Sequence, residues 1–100
     1  MSESRRILIA DDEPGIIQLL KDYFEIQDYQ VIEAKNGLEV LGQLNKQPDL
    51  ILLDVNMPML DGFEVCERIR SHVSCPILFL TAKIEEADRI RGLMIGGDDY

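Results

Sequence analysis

The sequence predicts an α/β fold: an open, doubly wound parallel sheet with helices packed on both faces. Three observations lead there. Four short apolar runs alternate with four amphipathic segments, the connections are short, and three of the runs are continuously apolar. Continuous runs are expected of parallel strands covered on both sides, whereas a half-solvated strand would alternate. Such alternation implies βαβ units with right-handed crossovers. In sheets of this kind ligands sit beyond the carboxyl ends of the strands, at the switch point, so the residues after each strand matter most.

The elements follow in order. Arg6-Ile7-Leu8-Ile9-Ala10 is the first strand. Pro14 to Ile26 is a helix, with Ile16, Ile17, Leu19, Leu20, Tyr23 and Phe24 at helical spacing. Pro14 suits its first turn, where a missing N–H matters least. Tyr23 and Phe24 are expected in the core. Gln30-Val31-Ile32-Glu33-Ala34 is a second strand, polar enough for a place near a sheet edge. Asn36-Gly37 marks a turn or helix entry, and Gly37 to Leu44 repeats Leu38, Val40, Leu41 and Leu44. Leu50-Ile51-Leu52-Leu53 is the third strand. Asp61 to Arg70 carries Phe63, Val65, Cys66 and Ile69, with Asp61 favourable at the positive helix start. Ile77-Leu78-Phe79-Leu80 is the fourth strand. Ile84 to Ile95 is a fourth helix, on which Glu85 and Arg89 can pair. Gly96-Gly97 stops it, and Asp98-Asp99-Tyr100 reads as the entry to a fifth strand.

Length and composition narrow the function. One hundred residues suffice for one small domain. With 19 acidic against 10 basic residues the formal charge is −9, which disfavours direct contact with nucleic acid or an anionic membrane. The same charge suits a site that collects a divalent cation. No run approaches the roughly 18 apolar residues of a membrane span, and the MSESRR start lacks a secretory signal's apolar region. Cys66 and Cys75 form neither a disulfide framework nor a metal spacing, so reduced thiols in a cytoplasmic protein are expected.

The strand ends carry the chemistry. Asp11, Asp12 and Glu13 follow the first strand, Asp54 the third, and Thr81 the fourth. If the first and third strands are neighbours, Asp11, Asp12 and Asp54 converge. Packed carboxylates repel unless a cation neutralises them. Mg2+ is the natural candidate, a hard ion satisfied by carboxylates, waters and phosphate oxygens. A carboxylate is also a nucleophile able to form an aspartyl phosphate. Acids after strands also serve as caps or turn formers, and that is the expectation for Glu13.

These residues resemble a known family. Ile9-Ala10-Asp11-Asp12-Glu13, Leu53-Asp54-Val55-Asn56-Met57-Pro58, Asp61-Gly62, Leu80-Thr81-Ala82-Lys83 and Gly96-Gly97-Asp98-Asp99-Tyr100 look like the ordered landmarks of bacterial response-regulator receiver domains. The stretch Asp88-Arg89-Ile90-Arg91-Gly92-Leu93 resembles the winged-helix, OmpR/PhoB-like subfamily. The resemblance implies a flavodoxin-like (CheY-like) sheet of order 2-1-3-4 with only the start of strand five, and one receiver domain over residues 1–100. It implies that Asp54 is the phosphoacceptor, that Asp12 ligates Mg2+ directly, and that Asp11 acts through water. Asn56 would supply a backbone carbonyl to the metal, Thr81 the hydroxyl that turns to the phosphoryl group, and Tyr100 the switch aromatic. Pro58 and Gly62 match the loop that shapes the site. The implied partner is a sensor histidine kinase, and the implied output is transcription. The chain is expected to be no enzyme beyond self-catalysed phosphoryl transfer and autodephosphorylation.

The chain departs from the family at its end. The family's Lys on strand five would fall three residues after Tyr100, and helix five would follow it. A chain without them is expected to expose an apolar edge and self-associate as a dimer or strand-swapped form. Lys83 is a weak stand-in for that Lys. The lone histidine, His72, is expected at the surface rather than as a phosphodonor. Met57 and Met59 either shape access to the site or simply pack. An aspartate-nucleophile phosphohydrolase of the haloacid dehalogenase type is the enzyme alternative. It wants an Asp two residues after its nucleophile, where this chain has Asn56. A flavodoxin-like cofactor binder would place a flavin phosphate against three carboxylates. A phosphorylation-independent interaction module is the remaining alternative.

Overall fold

The structure, a computed structural model, describes residues 5–57 and 59–80. The fourth helix, the fifth-strand entry and the residues Pro58, Thr81, Lys83 and Tyr100 lie outside the described residues. Strand β1 is Arg6–Ala10, helix α1 Pro14–Ile26, strand β2 Gln30–Ala34 and helix α2 Gly37–Gln43. A 3-10 turn, Leu44–Lys46, then leads to β3, Leu50–Asp54; α3 is Gly62–Ile69 and β4 Ile77–Leu80. The sheet runs β2-β1-β3-β4 with every pairing parallel, as the receiver resemblance implies. Polar β2 takes the outer position that its composition predicts.

Two helix starts are set by side-chain caps. Asn36 accepts from the Glu39 N–H at 2.9 Å, while Glu39 reaches back to the Lys35 N–H at 2.9 Å. Asp61 accepts from the Glu64 N–H at 2.8 Å, so it caps α3 from just outside the helix. Both satisfy donors that a helix start leaves unpaired. Glu13 occupies the same place before α1 but caps only through its carbonyl, which accepts from Ile16 and Ile17.

The sheet separates two apolar layers. On one face Leu8, Ala10, Ile51, Leu53, Ile77 and Phe79 meet α2 and α3 through Val40, Phe63, Val65, Cys66 and Ile69. Phe63 and Phe79 pack with centroids 4.9 Å apart. On the other face Ile7, Ile9 and Leu52 meet α1 through Ile17, with Leu20 and Phe24 packed around them. Here one expectation is corrected. Phe24 is half-buried against this layer, but Tyr23 is 58% exposed. Ile17, Leu20 and Phe24 form the stripe that faces the sheet. Ile16, Leu19 and Tyr23 each lie one position earlier, about 100° around a helix of 3.6 residues per turn, and look outward. Tyr23 makes an edge contact to the Phe24 ring, with centroids 5.2 Å apart. The β4 strand is also less covered than its apolar run predicts, with Leu78 and Leu80 half-buried on the α1 side.

Candidate phosphoacceptor and metal site

The parallel register brings the ends of β1 and β3 side by side. Ala10 pairs with Leu53, so Asp11 and Asp54 leave the sheet at adjacent points. One carboxylate oxygen from each of Asp11, Asp12 and Asp54 lies within 4.8 Å of the others. The convergence that was conditional on neighbouring strands therefore occurs. Among the described residues, these three form the group of acids, histidines or cysteines close enough to share an ion.

The three acids are held differently. Asp11 is buried, its N–H donating to the Ala34 carbonyl at 3.1 Å and its Oδ1 accepting from the Glu13 N–H at 2.9 Å. Asp54 is half-buried and accepts from the Asn56 N–H at 3.3 Å. Asp12 is exposed. Asn56 is exposed as well, and its backbone N–H meets the site. Met57 is buried in the core and packs there, whereas Met59 is 73% exposed.

Electrostatics mark Asp54. Its carboxyl is pushed up from 3.8 to about 6, first by burial, then by the Asp11 charge, against the Asn56 N–H, with Asp12 and Glu13 adding repulsion. The Asp11 carboxyl is also raised, chiefly by burial and next by Asp12, partly offset by the Glu13 N–H. A crowd of acids whose ionisation is penalised gains from a cation, which removes the repulsion that burial amplifies. The donors are all oxygen, with no nitrogen or sulfur ligand, and that fits a hard ion such as Mg2+.

Sequence reasoning missed one feature here, and named another only by resemblance. The backbone N–H of Asn56 donates to the Asp54 carboxylate, a contact that residue type does not reveal. Gly62 lies against the backbone of Asp54: a Cβ there would strike the Asp54 carbonyl oxygen and come within 3.0 Å of Val55 Cα. The resemblance places Gly62 in the loop that shapes the site, without the contact that makes it so.

The family model for the response regulator receiver domain matches residues 7–100. The chain belongs to the response-regulator receiver family. As a receiver domain it is 49% identical over 96 residues to the transcriptional regulatory protein ResD of Bacillus subtilis, covering 95% of this chain and 40% of that protein. It is 48% identical over 99 residues to the alkaline phosphatase synthesis transcriptional regulatory protein PhoP of the same organism, covering 97% and 41%. The receiver spans about two fifths of the length of the curated relatives it matches. A two-component response regulator from Clostridium difficile superposes with a TM-score of 0.93 at 33% identity, covering 97% of this chain and 81% of that one. The chemotaxis protein CheY4 of Vibrio cholerae gives 0.92 at 30% identity, covering 97% and 84%. Phosphorylation by a histidine kinase is the function of this family, and no helix among the described residues is long and apolar enough to cross a membrane.

Proposed function

We propose that Asp54 is the phosphoacceptor of a two-component system, fed by a sensor histidine kinase, with Mg2+ held by Asp11, Asp12, Asp54 and the Asn56 carbonyl. The observation that carries this reading is the approach of the three carboxylates to within 4.8 Å at the ends of β1 and β3. An Asp54 carboxylate oxygen attacks phosphorus, the P–N bond to the donor imidazole breaks, and its electron pair returns to the ring nitrogen. The Asn56 N–H holds one carboxylate oxygen, leaving the other for attack. A bound Mg2+ would neutralise charge that otherwise repels an anionic phosphoryl group. Thr81 is the hydroxyl, and Tyr100 the aromatic, that would respond to phosphorylation.

The chain would work in the cytoplasm as the input part of a longer regulator whose output is transcription. The names of its relatives support that reading, and the −9 charge supports leaving DNA contact to another domain. Self-association is a further part of the proposal, favoured by the outward Leu19, Tyr23 and Ile26 of α1. Sedimentation over a concentration series tests it, and a monomer throughout would refute it. For the acceptor, the chain and its Asp54→Asn variant are treated with a small-molecule phosphodonor and Mg2+ and read by intact mass. One added phosphoryl group on the parent and none on the variant is expected. No addition to the parent would overturn the reading.

A further inference from the structure

We propose that the Asn36-Gly37 peptide is a deamidation site that the fold holds in check: water converts the Asn36 amide to a carboxylate only when this stretch opens locally. The inference is independent of the acceptor reading above.

The chemistry lies in the two residues. The Gly37 backbone nitrogen gives its proton to solvent base and attacks the Asn36 side-chain carbonyl carbon. A five-membered ring closes, the amide C–N bond breaks, and its nitrogen leaves with the electron pair as ammonia. Water then opens the ring at one of its two carbonyls. One opening gives aspartate in a normal backbone, and the other routes the backbone through the side chain as isoaspartate. Glycine leaves the attacking nitrogen unshielded. The other asparagines, Asn45 and Asn56, precede Lys46 and Met57, whose side chains hinder the same attack.

Packing and capping keep this reactive pair in place. A Cβ on Gly37 would come within 2.7 Å of both Leu60 Cβ and Val65 Cγ2, so a larger residue does not fit between α2 and α3. Asn36 supplies the cap, accepting from the Glu39 N–H at 2.9 Å. The same fold opposes the ring. Closure needs the Gly37 nitrogen and the Asn36 Cγ nearly eclipsed about the Cα–C bond, and at ψ 174° they are staggered. Turning that bond would break the bond from the Val40 N–H to the Asn36 carbonyl, 3.2 Å long, and pull on the cap. Glu39 adds a second hold through the Lys35 N–H, at 2.9 Å. The reaction therefore waits for local opening, which proteins undergo well below the cost of global unfolding. Aspartate would keep the cap, since Asp caps as well as Asn. Isoaspartate lengthens the backbone between Lys35 and Gly37 and displaces Gly37 from its narrow space.

The test is incubation of the folded chain, and of a peptide of residues 33–40, in mildly alkaline buffer, read by peptide mass mapping. The peptide should convert at Asn36. The folded chain should convert there roughly fivefold more slowly or better, the protection that a cap of ordinary strength gives, and unfolding it in urea should restore the peptide's rate. Glu39→Ala removes the hold on Lys35 and should speed the folded chain by roughly twofold or more. Gly42→Ala, whose Cβ meets nothing within 4 Å, favours α2 and should slow it by roughly two- to fivefold. Asn36→Ser keeps a capping oxygen and should abolish the signal. Should Glu39→Ala fold poorly, Gly42→Ala decides, because it acts in the opposite direction. Equal rates for folded chain and peptide, a rate that ignores Gly42→Ala, or conversion mapped to Asn45 or Asn56 instead would each overturn the inference.

Discussion

Replacing Asp54 by Asn should stabilise the metal-free fold near neutral pH, although it removes the proposed acceptor. The carboxyl is raised from 3.8 to about 6 in the folded chain, mainly by burial and the Asp11 charge. A group with a raised folded pKa favours the folded state at low pH and loses that contribution as pH rises. The penalty is therefore absent below about pH 3.8 and complete above about pH 6. At about 1.36 kcal/mol per pH unit the whole shift is about 3 kcal/mol. Asp54 is only half-buried, so solvent screening reduces this to about 1–2 kcal/mol. Asn keeps an oxygen for the Asn56 N–H and nearly the same volume, so little else changes. With a urea slope of about 1 kcal/mol/M for a small domain, the midpoint should rise by roughly 1–2 M at pH 7.5 in chelator. At pH 4.5 the gain should shrink to about a third, because the folded Asp54 is then mostly protonated. Added Mg2+ should narrow the gap at pH 7.5 by stabilising the parent more than the variant. An Asp54→Asn chain no more stable than the parent at pH 7.5, or equally favoured at both pH values, would refute the reasoning.

Removing the neighbouring charge with Asp11→Asn should lower the Asp54 carboxyl from about 6 toward the ordinary carboxylate range, seen in a carbon-13 carboxyl titration, and should weaken Mg2+ binding. Asn36→Ala deletes the side-chain cap of α2 and should cost about 1 kcal/mol in a urea melt, with Asn36→Asp nearly neutral. Ile51→Val trims one methylene from the fully buried centre of the sheet and should cost about 0.5–1.5 kcal/mol, with the metal site unaffected.

For the described residues, the strands and helices were legible in the sequence, as were the residue types at the strand ends. Apolar runs of the right length and amphipathic stretches between caps such as Asn36 and Asp61 are local properties, and β1, β2, β4 and α1 fall on the bounds that the pattern predicts. The residue types of Asp11, Asp12 and Asp54 likewise announce oxygen ligands and a nucleophile. Tertiary structure alone decided the rest, because each remaining question concerns residues far apart in the chain. Only the pairing of β1 with β3 brings Asp11 to Asp54. Burial first, and then that crowding, raises the Asp54 carboxyl. The rotation of α1 on the sheet buries Ile17 and turns Tyr23 outward, a choice between adjacent stripes that an apolar helix leaves open. At Gly62 the decisive fact is a space too small for a methyl group, enclosed by the backbone of the very residue that the site depends on.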